Sequence, residues 1–135
     1  KINEIEILVS VESTRTAQEA ANTHNVPVCN IVKSLLVRID DSFKMFLVPG
    51  DRRLDIDYLK KEYNTENVTM ANADEVKETT GFSIGGVPPF GHKNSIPTII
   101  VDGFDKNSLL VAAAGSQNSV FKIDYDRLRA LITIK

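Results

Sequence analysis

A lysine interrupts the apolar run NIVKSLLVRI, which occupies positions 30–39. If this run forms a β-strand, successive side chains alternate between two faces, so Lys33 points to the same side as Ile31 and Leu35. A buried ammonium must be paired, deprotonated or in contact with a water-filled cleft, because an unpartnered buried charge is strongly destabilising. The run therefore leaves two alternatives. Lys33 either reaches the surface or pairs with a carboxylate such as Asp51, or it lies at the floor of a pocket that binds an anion.

Four glycines and a Pro-Pro pair are concentrated in the segment GFSIGGVPPFGH, at positions 81–92. Glycine tolerates positive φ angles, and Pro88 and Pro89 stiffen the chain between the glycines. The segment is either an awkward connection between two elements or a rigid loop whose backbone N–H groups approach a ligand, as those of an oxyanion hole do. It is not a nucleotide-binding P-loop, because no Gly-Lys-Ser/Thr follows the glycines.

A cluster of small polar residues follows the alanines of the segment AAAGSQNSVF, at positions 112–121. The cluster is either a plain turn or the polar end of a strand that borders a binding site. The three segments are weak signals one by one, but together they suit a small pocket for an anionic ligand. Other chemistry has less support, because His24 and His92 belong to no metal-ligand pattern and no serine–histidine–aspartate set can be assembled. We therefore expect no metal and no other cofactor.

Composition limits the class of protein. With 135 residues, 42% of them hydrophobic and 25% charged, the chain has the composition of a globular protein, and we expect one domain over residues 1–135. A net charge of −2 argues against a wide basic face for long duplexes, although it permits a small positive pocket. No apolar stretch approaches the ~20 residues of a membrane span. The single cysteine, Cys29, cannot form an internal disulfide, which fits a reducing, cytoplasmic location.

Local patterns predict interspersed strands and helices. Capping boxes begin helices at Thr16 and Asn72, Gly81 ends the second of these, and Asp124 caps a last helix. Alternating or apolar runs predict strands near 5–11, 31–39, 43–48 and 68–70, with a hairpin over 31–48 and a helix near 56–63. The segments SIPTIIVD and SLLVAAA, separated by GFDKN, indicate a second hairpin. The predicted fold class is mixed α/β with a mixed sheet.

The three segments, in this order, resemble those of the YbaK-type proteins and of the editing domain inserted in bacterial prolyl-tRNA synthetases. The resemblance covers about residues 14–131, through the stretches TAQEAA, IVKSLLV, LVPGDRRLD, TGFSIGGVPPFGH, PTIIVD and AAGSQNSVFKIDYDRL. It implies a mixed α/β fold with a curved, barrel-like, mostly antiparallel or mixed sheet and flanking helices. It also implies an enzyme that hydrolyses the ester between a wrongly attached small amino acid and the 3′ end of a tRNA.

The same resemblance implies roles for individual residues. Lys33 matches the strand lysine that is most associated with activity in the family, and we expect it to hold the terminal phosphate and to assist the ester electrostatically. Gly85 and Gly86 are the expected donors to the oxyanion. The expected substrate-binding residues are Asp51, Arg52, Val87, Pro88, Pro89, Phe90, Gly91, His92, Gly115, Ser116 and Asn118. Pro88, Pro89 and Phe90 would form a wall that excludes larger side chains.

One departure from the family bears on the substrate. The branch that removes cysteine often carries a serine and an aspartate near the positions of Ala113 and Val120, so another small amino acid is favoured here. The expected partner is the 3′ CCA end of an aminoacyl-tRNA, with a synthetase as a further candidate and no membrane. Two rival hypotheses remain open. One is a non-catalytic module that binds tRNA 3′ ends or a nucleotide-like anion, and the other is a structural protein in which Lys33 pairs with a carboxylate.

Overall fold

A computed structural model describes residues 7–9 and 16–132 of the chain. The sequence-predicted strand over 5–11 is described only in its centre, and its two ends lie outside the described residues. The strands are β1 (Ile7–Val9), β2 (Ile31–Ile39), β3 (Ser42–Pro49), β4 (Val68–Met70), β5 (Thr98–Ile100), β6 (Leu109–Ala113) and β7 (Ser119–Asp124). The helices are α1 (Ala17–His24), α2 (Ile56–Glu62), α3 (Ala73–Thr80) and α4 (Tyr125–Ile132), with one 3₁₀ turn at Val28–Asn30.

Within the described residues these strands form one mixed sheet in the order β1-β7-β6-β2-β3-β5, and β4 pairs with β2 beside this path. The pairs β1–β7, β6–β7, β2–β3 and β2–β4 are antiparallel, whereas β2–β6 and β3–β5 are parallel. The mixed α/β class is therefore confirmed. The sheet is open between β1 and β5, so it does not close into a barrel along this path.

The predicted second hairpin is wrong. β5 joins β3 in parallel, and β6 pairs with β7 and β2 instead of turning back on β5. The reason lies in Phe104, which a hairpin turn at GFDKN would expose. The Phe104 side chain is buried in the largest hydrophobic cluster of the protein, the main core cluster, and its ring centroid lies 6.4 Å from that of Tyr125. The connection between β5 and β6 therefore packs on the core and does not form an exposed turn. The second hairpin is β6–β7, whose turn contains the polar cluster at 114–118.

Strand β2 has two different edges, and one of them is interrupted. Along one edge it pairs with β3 from Val32 to Ile39. On the other edge it pairs with β6 only at Ile31 and Val32, and with β4 only from Val37 to Ile39. Residues 33–35 therefore have no strand partner on that edge within the described chain. The sheet is split at this point, between the ends of β6 and β4.

The two faces of the sheet are covered by different helices. On one face, Ala20 and Ala21 of α1 pack on Ile31, and Leu59 of α2 packs on Val37, in two separate clusters. On the other face α3, α4 and the segment 81–92 cover the largest cluster. The predicted capping boxes are present: the Thr16 Oγ1 accepts from the Glu19 N–H and the Asn72 Oδ1 from the Glu75 N–H, and Asp124 accepts from the Arg127 N–H at the start of α4.

Candidate functional site

Lys33 lies on the face of β2 that carries α1 and α2, at the junction between their clusters. Ile31 packs under α1, and Leu35 packs at the margin of the α2 cluster, so neither helix covers Lys33 itself. The side chain is half-buried, and its Nζ donates to the carbonyl oxygen of Arg52. The hydrogen bond ties the ammonium to the segment that follows β3. The acceptor is a backbone carbonyl. It is not the carboxylate of Asp51, with which one of the two alternatives drawn from the sequence paired Lys33.

The electrostatic surroundings of Lys33 disfavour its charged form. Burial lowers the pKa of the Lys33 ammonium below its ordinary value of 10.5, and the nearby Arg53 guanidinium lowers it further. The Asp51 carboxylate opposes these two effects but is the smallest of the three. An anion bound beside Lys33 would relieve the repulsion from Arg53, so the site is suited to a negatively charged ligand.

A cavity of about 360 Å³ opens next to Lys33 and extends through the split in the sheet. Because the split interrupts one edge of β2, side chains from both faces of that strand line the same space. Of the described residues in the lining, Lys33 alone carries a charged side chain, and the surface is mostly aliphatic. The lining residues are Thr16, Ala17, Ala20, Ile31, Val32, Lys33, Ser34, Leu35, Leu36, Met70, Ala71, Val76, Ile84, Gly85, Val87, Val111, Ala112, Ala113 and Val120.

The glycine–proline segment contacts the β6–β7 turn, which joins two of the three segments that the sequence singled out. A Cβ on Gly86 would lie 2.8–3.0 Å from three backbone atoms of Ser116, so only glycine fits there. Gly115 has a φ of +110°, and a Cβ on it would lie 3.2 Å from the ring of Phe82. The Gln117 Nε2 also donates to the carbonyl oxygen of Ile84, at 3.4 Å. These contacts fix the loop over the cavity.

The two glycines expected to bind an oxyanion differ in position. Gly85 lines the cavity with a φ of +90°, a conformation that a residue with a side chain rarely adopts. Gly86 is buried behind it, and its N–H already donates to the carbonyl oxygen of Ser83 at 3.0 Å. The structure therefore places Gly85, and not Gly86, at the cavity surface. Val87, which follows, is buried and lines the cavity.

The expected wall of Pro88, Pro89 and Phe90 does not border the cavity beside Lys33. Both prolines are buried, and the ring of Phe90 packs on that of Phe121 with 5.5 Å between centroids. The aliphatic side chains of Val76, Ile84 and Val87 stand there instead. The buried run at 86–89 carries the prolines into the core and not to that cavity surface, so the role of these residues as a wall stays a prediction.

A second, more open cavity of about 380 Å³ lies behind the glycine–proline segment. It is lined by Pro89, Phe90, Gly91, His92, Asn94, Ser95, Ile96, Thr98, Leu131 and Ile132. The Nε2 of His92 lies 2.7 Å from the carbonyl oxygen of Pro88, and burial lowers the pKa of the His92 imidazole although this hydrogen bond opposes the effect. His92 and Gly91 thus belong to this second cavity and not to the one beside Lys33.

The other predicted substrate-binding residues surround the cavity without lining it. Asp51 and Arg52 follow β3, and the Arg52 side chain lies against Gly103, where a Cβ would be 2.6 Å from its Nε. Ser116 bonds to Asn118 and to Ser119, at 3.0 and 2.7 Å, within the β6–β7 turn. In the structure, Arg52 contacts Lys33 through its carbonyl oxygen, and the β6–β7 turn contacts the glycine–proline segment.

Sequence reasoning missed several lining residues, among them Ser34, Met70 and Val76. Ser34 could have been found, because it directly follows Lys33 and must face the opposite side of β2. Met70 and Val76 could not, because their approach depends on how β4 and α3 pack. In the described part of the chain, no three His, Cys, Asp or Glu side chains lie together as metal ligands would, and no helix is long and apolar enough to cross a membrane.

Comparison with known proteins relates this chain to a family. The model of the aminoacyl-tRNA editing domain matches residues 11–131. A proline–tRNA ligase of Thermosipho africanus is 41% identical over 83 residues, which are 62% of this chain and 15% of the ligase. A proline–tRNA ligase of Staphylococcus haemolyticus is 34% identical over 121 residues, which are 88% of this chain and 21% of the ligase. The chain therefore spans about a fifth or less of these two relatives.

Solved structures agree with this result. A crystal structure of a candidate trans-editing enzyme for prolyl-tRNA synthetase superposes with a TM-score of 0.88 and 34% identity, over 96% of this chain and 82% of that one. A hypothetical protein superposes with a TM-score of 0.85 and 28% identity, over 96% and 86% of the two chains. The likeness therefore covers nearly the whole chain.

Proposed function

We propose that this chain, which belongs to the family of aminoacyl-tRNA editing domains, hydrolyses the ester that joins a small, wrongly attached amino acid to the 3′ end of a tRNA. The observation that carries the proposal is the cavity in the split sheet, where one ammonium and one bare glycine backbone meet an aliphatic space. The proposal treats residues 1–135 as a single editing domain that acts on tRNA charged elsewhere. It places the chain in the cytoplasm, where tRNAs are charged.

The chemistry needs little from the protein, because an aminoacyl ester is already activated. Water attacks the ester carbonyl, the carbonyl oxygen carries the developing negative charge, and the bond to the ribose oxygen breaks to release the free amino acid and the uncharged tRNA. The neighbouring ribose hydroxyl can position the water. The protein must hold the terminal nucleotide, orient the ester and stabilise the oxyanion. No nucleophilic side chain is required.

We assign each of these tasks to individual residues of the chain. Lys33 binds the terminal phosphate through N–H groups that its bond to Arg52 leaves free, and it assists the oxyanion electrostatically. Gly85 is the backbone donor closest to the reacting ester. Val76 and Val87 limit the size of the amino acid, although one methylene changes affinity by only ~1–3 kcal/mol. Size exclusion alone therefore gives modest selectivity.

The expected partner is the single-stranded CCA end of the tRNA, which suits a chain with a net charge of −2. If about three phosphates are contacted, the logarithm of the affinity should fall with the logarithm of the salt concentration with a slope near −2. A synthetase is a further candidate partner. The relatives named proline–tRNA ligase contain the matching region within a longer chain, so a free domain of this kind could dock on a ligase that lacks it.

The test is the release of amino acid from tRNAs charged with alanine, serine, threonine, cysteine or proline. We expect release of one or two of the small amino acids well above spontaneous hydrolysis, and little release of cysteine, given Ala113 and Val120. Binding of a non-hydrolysable 3′-aminoacylamido adenosine without release of amino acid would instead favour the non-catalytic binding module. If the protein neither binds this ligand nor releases amino acid, both hypotheses are contradicted and Lys33 is left with a structural role.

A further inference from the structure

Ser34 carries a buried hydroxyl group with nothing to bond to. Its Oγ is inaccessible to solvent and has no hydrogen-bond partner among the described residues, and the residue lines the cavity in the split sheet. Ser34 lies on the opposite face of β2 from Lys33, between Val32 and Leu36, which belong to the main core cluster. Because an unsatisfied buried hydroxyl costs stability, its presence here points to a ligand that supplies the partner.

The backbone of Ser34 faces the same space. The N–H of Ala71 donates to the carbonyl oxygen of Leu36 at 3.0 Å, so the peptide groups of Leu36 point to the β4 edge of β2. Alternate residues of a strand direct their N–H and C=O groups to the same edge, and Ser34 precedes Leu36 by two positions. The peptide groups of Ser34 therefore point into the split, where no described strand pairs with them. The carbonyl of Ser34 offers an acceptor in the split, and the unpartnered hydroxyl becomes a second acceptor once a rotation about the Cα–Cβ bond turns it toward the mostly aliphatic cavity.

The distribution of charge in the cavity determines what these acceptors can bind. Among the described residues that line the cavity, Lys33 is the only charged side chain and none is a carboxylate. An aminoacyl group carries an α-ammonium, which is repelled by the Lys33 ammonium and needs hydrogen-bond acceptors once it leaves water. Ser34 lies on the opposite face of β2 from the Lys33 ammonium, and its oxygens are neutral hydrogen-bond acceptors, so it suits the α-ammonium on both counts. A substrate that passes through the split then has its phosphate beside Lys33 on one face of β2 and its α-ammonium beside Ser34 on the other.

We propose that Ser34 binds the α-ammonium of the aminoacyl group while Lys33 binds the terminal phosphate on the other face of β2. This inference rests on the proposed function for the identity of the ligand. The substrate class is accordingly an α-amino acyl ester with a free ammonium, and N-blocked or deaminated acyl groups are excluded. The amino-acid side chain contacts the aliphatic lining and is not recognised by Ser34.

The experiment compares two stable ligands that differ only at the α-position. These are 3′-amino-3′-deoxyadenosine 5′-phosphate carrying an alanyl amide and the same nucleotide carrying a propionyl amide. Their affinities are measured by calorimetry at about pH 6.5, where the α-ammonium is charged. We expect the wild type to prefer the alanyl ligand by about tenfold or more, since a hydrogen bond to a charged group is stronger than a neutral one.

Three variants separate a role in binding from a role in folding. Ser34→Ala should reduce the preference to about twofold or less. Its free energy of unfolding should not fall, because it removes an unpartnered hydroxyl. Ser34→Thr keeps the hydroxyl on a residue suited to strands and should retain most of the preference. Ser108→Ala is the matched control, because the Ser108 hydroxyl bonds to Asp105 in the connection between β5 and β6, away from the cavity, and the preference should not change.

Several outcomes would overturn the inference. One is an unchanged preference in Ser34→Ala, and another is an equal loss of affinity for both ligands, as expected if Ser34 only holds a water molecule. A change in the ratio of seryl to alanyl ligands without a change in the ratio of alanyl to propionyl ligands would also overturn it. If the predicted preferences are found but no tRNA is deacylated, the inference stands and the proposed hydrolase activity fails.

Discussion

Replacing Lys33 with methionine is expected to lower kcat/KM for amino acid release by about a hundredfold or more. Lys33 is the only cation that the described part of the chain contributes to the cavity lining, so its loss removes both the phosphate anchor and the electrostatic assistance to the ester. If phosphate binding dominates, most of the loss should appear in KM and less in kcat. The measurement is deacylation of the tRNA that the wild type prefers, over a range of substrate concentrations.

The folded state should tolerate this replacement. Burial and Arg53 both lower the pKa of the Lys33 ammonium, which means that the folded protein disfavours the charge, and methionine has a similar length without it. The free energy of unfolding of Lys33→Met should therefore equal or exceed that of the wild type at neutral pH. Lys61→Met, on the exposed side of α2, is the matched control and should keep wild-type kinetics. Wild-type kinetics in a folded Lys33→Met variant would contradict the assigned role.

The lowered pKa also gives a pH dependence with a definite sign. As the pH rises, Lys33 should lose its proton before an ordinary lysine does, below pH 10.5. Affinity for the propionyl ligand with its 5′-phosphate, which has no α-ammonium that would titrate in the same range, should therefore decline at an alkaline pH where exposed lysines are still charged. The same decline should be absent in Lys33→Met.

Replacing Gly86 with alanine is expected to have the second large effect. The new Cβ would lie 2.8–3.0 Å from backbone atoms of Ser116, and backbone cannot rotate away as a side chain can. Either the glycine–proline segment or the β6–β7 turn must move, at a cost of about 1–3 kcal/mol, and Gly85 moves with it. We expect a lower free energy of unfolding in urea and a loss of kcat/KM of about tenfold or more, because small displacements of positioning groups cost large factors in rate.

Gly91→Ala provides the comparison for this variant. Gly91 has a φ of +80°, so alanine is strained there by about 1–2 kcal/mol, but a Cβ would meet no atom within 4 Å. The position borders the second cavity and not the one beside Lys33. We expect Gly91→Ala to lose stability while it retains a rate within about threefold of wild type. Equal losses of rate in the two variants would contradict the proposed role of the loop contact.

Local signals in the sequence predicted the elements that depend on local physics. The capping boxes at Thr16 and Asn72 are determined by residues three positions apart, and the β2–β3 hairpin by two adjacent runs. The hairpin predicted around GFDKN failed because the burial of Phe104 is a long-range contact that no local pattern contains. The curvature of the sheet was expected from the family, but its split at residues 33–35 depends on where β4 and β6 end.

The candidate site was predictable to a similar extent. Lys33 and Gly85 follow from alternation and from glycine content, and both line the cavity. Pro88, Pro89 and Phe90 do not line it, because the segment packs into the core after Val87, which the sequence does not reveal. Ser34 was overlooked because a serine in a strand is ordinary until the structure shows that its hydroxyl lacks a partner.

The most direct test of the central claim is to locate the stable alanyl ligand on the protein by amide chemical-shift changes in NMR spectra. The account predicts that the changes concentrate around the split in β2 and that Lys33→Met greatly reduces them. Changes concentrated at the second cavity, or changes that persist unaltered in Lys33→Met, would contradict it. The amides expected to respond are those of Lys33, Ser34, Gly85 and Ala113, and the contrary result would appear at His92, Asn94 and Thr98.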